Sequence, residues 1–200
     1  MILVVGRPGL TEDGQLDRTA PRVALAATEA GGRVELVGSV GDDPDGDAVA
    51  LELGRAGIGH AALLRDPAGA TPRTSAGDES TSGSPGGSLP RLDAGDLDLG
   101  LRYLADWRVL VMAEPIDEET LAVARDAAAY HAAALVVLVA PASNLQVGLD
   151  RTATVLEMPE QDAGAFAALV GRYAALLDAG RPAEDAWHEA LSGSGWEESG

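Results

Sequence analysis

Four carboxylates fall within six residues in Asp42-Asp43-Pro44-Asp45-Gly46-Asp47, directly after the glycines Gly38 and Gly41. Carboxylates at this spacing can hold a divalent cation, or they can cap a helix and suit its positive N-terminal end. Against a calcium loop, Asp43, Asp45, Gly46 and Glu52 fall on matching positions, but the first ligand position is Gly41. Residues 48–53 carry helical apolar spacing at Ala48, Leu51 and Leu53, so capping is the expected role. Glu114 follows the apolar run 109–112 and is a candidate pocket carboxylate, because open α/β sheets hold ligands beyond the carboxyl ends of their strands. Gly6-Arg7-Pro8-Gly9 follows another apolar run, but Pro8 removes one of the N–H groups a phosphate cradle needs. His60, His131 and His188 are too scattered for a metal site, and His131 and His188 are expected at the surface or as caps. The serines between 74 and 88 lack the strand-turn-helix context of a nucleophile and read as linker.

Composition narrows the partners. Two hundred residues suffice for one α/β domain, and 46% hydrophobic content with only seven aromatics implies a core of small aliphatic side chains. A net charge of −18 opposes binding to nucleic acid or to an anionic membrane surface. The absence of cysteine excludes disulfides, thiolate catalysis and Cys-ligated zinc. The longest apolar run, 132–142, is too short to span a bilayer, and the N-terminus lacks a basic leader, so a cytoplasmic location is expected.

The elements that position these residues alternate. Apolar runs at 2–5, 33–40, 109–112 and 135–139 predict buried parallel strands, with further strands at 60–64 and 154–156. Helices are predicted from Pro21 to Ala30 and over 47–55, 92–104, 117–132, 162–178 and 182–191. Residues 7–18 read as a loop. Residues 66–91, rich in Gly, Ser, Pro and Thr, read as a flexible loop. The pattern implies a three-layer α/β domain over residues 1–194, with a mainly parallel sheet, helices on both faces and a tail at 195–200.

Val37-Gly38-Ser39-Val40-Gly41-Asp42-Asp43, with Gly46-Asp47, closely resembles the VGxVGDDxxGD passage of the ribokinase-like (phosphofructokinase-B-type) sugar and nucleoside kinases. Collinear likenesses accompany it. Ile2 to Gly6 is similar to the first strand, Leu53 to Ile58 to the LxxxGV turn, and Asp66 to Pro72 to the loop entering the next strand pair. Leu110 to Pro115 is similar to the LxxEiP passage, and Val137 to Ala142 to the vvlnPAP strand. The resemblance implies a ribokinase-like fold. It also implies that Gly6, Gly38, Gly41, Asp42 and Glu114 line the substrate cleft.

The functional motifs of that family are altered. Its sugar-binding GGKGAN passage falls on Asp17-Arg18-Thr19-Ala20-Pro21-Arg22, and only residues 7–16 are left for its β-lid, so a truncated fold without a lid is expected. The magnesium-organising Asn and Glu fall either on 162–165 or on 160–163, and Glu160 is the candidate metal ligand. The GAGD turn, whose Asp is the general base, is best matched by Gln161-Asp162-Ala163-Gly164, which puts glycine at the base position; otherwise the chain ends before that region. Asp162 is the surrogate candidate for catalysis. The resemblance therefore implies a family member without phosphotransferase activity and with no cofactor, ATP and magnesium being required only if kinase activity survives. Three alternatives stand beside it. One is a sugar- or nucleoside-binding protein, one is a kinase with a relocated base, and one is a partner subunit that pairs with a complete kinase or with itself.

Overall fold

The computed structural model describes residues 1–74, 87–115, 117–141, 153–159 and 161–194. Continuous apolar runs form the centre of a six-stranded sheet. Its strands are β1 (Ile2–Val5), β4 (Val34–Gly41), β5 (Gly59–Asp66), β7 (Val109–Met112), β8 (Ala134–Val139) and β9 (Ala153–Glu157). Their spatial order is β5-β4-β1-β7-β8-β9, and each neighbouring pair is parallel. The four strands expected to lie together do so, with Leu3 of β1 opposite both Glu35 and Leu110.

Strand alternation divides the core. Ile2, Val4, Val109, Val111, Val136 and Leu138 face α1 (Thr19–Glu29), α2 (Pro44–Arg55), α5 (Ala163–Asp178) and α6 (Ala183–Ser194). Leu3, Val5, Leu110, Met112, Leu135 and Val137 face α3 (Ala94–Arg102) and α4 (Glu118–Tyr130). Each such side chain contributes about 1.5–3 kcal/mol of burial free energy, which fixes the register because a one-residue slip would exchange the two faces. On α4 the buried positions are Thr120, Leu121, Ala124 and Ala128. Helices α1 and α5 approach so closely that a Cβ on Gly171 would lie 2.5 Å from Val23 O and 2.6 Å from Ala26 Cβ.

Two expectations are corrected. Residues 7–18, read as a loop with no lid, contain β2 (Gly9–Thr11) and β3 (Leu16–Asp17), which pair antiparallel across a turn at Gly14. With β6 (Arg73–Thr74), parallel to β2, they make a second sheet of order β3-β2-β6. The sequence hid it because these strands are two or three residues long and only Leu10 is a fully buried apolar anchor. Residues 66–74 and 87–91, read as part of a flexible loop, are tied down. Ala68 N and Arg91 N donate to the Asp66 carboxylate at 2.9 and 2.6 Å, and Ala70 N donates to Ser88 O at 2.9 Å. Residues 75–86, the 195–200 tail and Glu160 lie outside the described residues.

Candidate functional site

The chain runs outward from β1 through β4 to β5, then crosses back to lay β7, β8 and β9 on the other side. The order therefore reverses between β1 and β7, the place where an open α/β sheet leaves a crevice. Arg7 stands just past the end of β1, and Glu114 just past β7. Arg7 Nη1 donates to Glu114 Oε1, while Arg7 Nε and Nη2 reach the Pro90 and Leu92 carbonyls at 2.6 and 3.5 Å.

Arg18, the residue before α1, completes the cluster. Its Nε donates to Arg7 O at 3.0 Å, and its Nη2 lies 3.9 Å from Glu114 Oε2. The side chains of Arg18, Glu114 and Arg7 are only 10, 13 and 20% exposed. Burial holds the Arg18 pKa below the ordinary guanidinium value; Glu114 raises it and Arg7 lowers it further.

A second charged pair lies one helical turn along. Arg22 Nη2 is 2.7 Å from Asp17 Oδ1, and the Thr74 hydroxyl of the small sheet donates to Asp17 Oδ2. Burial raises the Asp17 pKa, but hydrogen bonds from Thr74 and the Arg18 backbone, with the Arg22 charge, outweigh it and leave the carboxyl below its usual value. Arg22 also reaches the start of α5, where a Cβ on Gly164 would stand 3.4 Å from Arg22 Nη1. A cation beside a helix N-terminus is unfavourable, so Asp17 supplies the compensating charge.

The carboxylates of the 42–47 run serve the scaffold. Asp43 caps α2 by accepting from Gly46 N at 2.7 Å, and its other oxygen accepts from Thr71 N at 2.8 Å. Asp45 takes Arg73 in a two-bond fork at 2.6 and 2.7 Å, and Asp47 pairs with Arg65 at 2.7 Å. The run thus holds the 66–74 segment, and with it β6, against the sheet.

Of the residues expected to line the cleft, Gly6, Gly38 and Glu114 come together. A Cβ on Gly6 would be 3.7 Å from Glu114 Cδ, and one on Gly38 would collide with the Gly6 carbonyl oxygen. Gly41 belongs instead to the 66–74 clamp, its N–H donating to Thr71 Oγ1 at 2.9 Å. Asp42 has an exposed side chain, and its N–H bonds to Asp66 O at 3.1 Å. Asp162 is the exposed residue before α5, in the left-handed region at φ 59°, and makes no capping bond. The roles of Arg7, Arg18 and Asp17 were missed, because only the folded chain brings 7, 18 and 114 to one point.

No family model and no curated sequence matches this chain. Solved structures do. A ribokinase of Arabidopsis thaliana complexed with ribose and ATP superposes with a TM-score of 0.66 at 12% identity, covering 96% of this chain and 90% of that one. The apo fructokinase of Vibrio cholerae gives a TM-score of 0.55 at 15% identity, covering 96% and 94%. The fold is ribokinase-like. The small sheet is built by the stretch of residues 9–17 with Arg73 and Thr74. No helix among the described residues is long and apolar enough to cross a membrane.

Proposed function

We propose that this chain is a sugar-kinase-fold protein that holds a small molecule in the crevice between β1 and β7 without phosphorylating it. Gly164 carries this reading. At the position the resemblance gives to the general base there is no side chain, and the Arg22 guanidinium stands 3.4 Å from where its Cβ would be. Phosphoryl transfer to a hydroxyl needs a proton acceptor within hydrogen-bond reach and donors placed for the developing charge. The two carboxylates of the buried charged clusters are engaged elsewhere. Glu114 is held by Arg7 and faces Arg18, while Asp17 is held by Arg22 and Thr74 with a lowered pKa, which makes it a weak base.

Glycine at the base position, with the Arg22 guanidinium 3.4 Å from where its Cβ would be, argues against transfer from ATP with magnesium. The small sheet, joined to the cluster through the bond from Arg18 to Arg7 O, supports binding as the surviving capacity.

The test is a coupled ADP-release assay over ribose, fructose and adenosine, with calorimetric titration of ATP–Mg. The expected result is no turnover and a Kd weaker than about 1 mM, a binding free energy of only about 4 kcal/mol. Turnover that disappears in Asp162→Asn would replace this reading with a kinase whose base has moved.

A further inference from the structure

Arg18 combines three properties that no scaffold role accounts for. Its backbone lies at φ 82°, ψ 168°, a region adopted almost only by glycine and costing a side-chain-bearing residue about 1–3 kcal/mol. Its side chain is nine-tenths buried. Yet among the described residues neither of its terminal nitrogens meets a hydrogen-bond acceptor; the Glu114 oxygen it faces is at 3.9 Å, and its one hydrogen bond is made by Nε. Those nitrogens are not among the buried unsatisfied atoms, so they carry the exposed tenth of the side chain and stand open to a ligand, and strained residues persist where function requires them.

We propose that the terminal nitrogens of Arg18 bind the carboxylate of a small, singly charged ligand. This rests on the reading of the crevice as a binding site and names its ligand class. Charge argues for one negative charge. Arg7, Arg18 and Glu114 together leave one positive charge in excess, while Arg22 and Asp17 cancel each other. A monocarboxylate neutralises that excess, whereas a doubly charged phosphate monoester would overshoot it inside a chain of net charge −18. Geometry argues for a carboxylate, because the two terminal nitrogens of a guanidinium present parallel donors that match its two oxygens. Glu114 then acts as an internal counter-ion: close enough to Arg18 to make its burial tolerable, too far to saturate its donors. The Arg18 stem is fixed over the small sheet, with its Cδ 3.0 Å from where a Gly9 Cβ would be, so the guanidinium is placed before a ligand arrives.

Calorimetric titration with D-gluconate, D-glucose and D-glucose 6-phosphate separates the charge classes on one carbon skeleton, and Arg18→Gly removes the guanidinium while giving the strained backbone the residue it suits. The expected result is gluconate binding at least about tenfold tighter than glucose or the phosphate ester, lost in Arg18→Gly while that variant keeps a cooperative thermal transition. Gluconate binding unchanged in Arg18→Gly would overturn the proposal, as would equal affinity for glucose or preference for the phosphate ester. Should that variant fail to fold, a gluconate-dependent rise in the parent's thermal midpoint that glucose does not give is still required. An absence of gluconate binding with no ADP release refutes this inference alone. ADP release with glucose refutes the non-phosphorylating reading itself.

Discussion

Replacing Glu114 by Gln keeps the shape of the side chain and removes its charge, leaving two guanidinium groups facing each other in a site that is four-fifths or more buried. At an effective dielectric of about 20, the 3.9 Å approach to Arg18 alone corresponds to roughly 4 kcal/mol of lost attraction. Breaking one partner of a buried pair costs about 3–5 kcal/mol, and residual solvent access with the Pro90 and Leu92 carbonyls around Arg7 lowers the expectation to about 2–3 kcal/mol. For a chain of this size that is a fall of roughly 4–12 °C in thermal midpoint. Urea denaturation at neutral pH reads the difference directly, provided the slope is unchanged. Adding Arg18→Gly to Glu114→Gln removes the uncompensated cation, so the double variant is expected to recover at least about 1 kcal/mol, a coupling a double-mutant cycle resolves. A cost below about 0.5 kcal/mol for Glu114→Gln would mean the cluster behaves as a solvated surface pair. The account of the crevice would then fail.

Gly38→Ala would drive a Cβ into the Gly6 carbonyl oxygen, with Leu36 Cδ2 at 3.3 Å behind it, and is expected to cost about 2–3 kcal/mol in the same denaturation assay. Gly54→Ala, inside α2 with only His60 Cε1 at 3.6 Å, is expected to stabilise by up to about 1 kcal/mol, so one chemical change takes opposite signs at the two sites. Asp43→Ala removes the α2 cap and the Thr71 bond together, at an expected cost of about 2–3 kcal/mol, with hydrogen exchange accelerating at the Gly46 and Thr71 amides before the rest. Asp17 and Asp43 both have carboxyls held below their usual value in the folded chain, where hydrogen bonds outweigh burial. Their contribution is therefore complete above about pH 4 and is lost as pH falls through the folded pKa; Asp17→Asn should flatten the acid limb of a stability-pH curve.

The central sheet was legible because runs such as Ile2–Val5 and Leu135–Val139 are apolar on both faces, which only a covered parallel strand can satisfy. The small sheet was not, since β6 finds β2 across more than sixty residues and neither strand has a periodicity to read. Asp43 could be identified as a cap from its place before Pro44, but its second bond, to Thr71, is a tertiary fact. The arginine cluster shows the same limit. Arg18 and Arg22 stood in the passage matched to a sugar-binding motif, where they registered as departures from a pattern. Only the backbone angle at 18, in a region that glycine favours, marks that position as unusual for an arginine.

The close contact between α1 and α5 sets an order of events during synthesis. The face of α1 that carries Val23, Ala24 and Ala27 is covered by α5, where Gly171 lets the Val23 carbonyl approach. A ribosome adding about 5–20 residues per second therefore leaves that apolar face without its partner for roughly 7–30 s after it emerges. During that interval β1 can pair with β4, whereas its other neighbour, β7, is still to come. The nascent chain thus passes through a state with one helix face and one strand edge bare, the form in which it is most open to chaperones and to association with copies of itself.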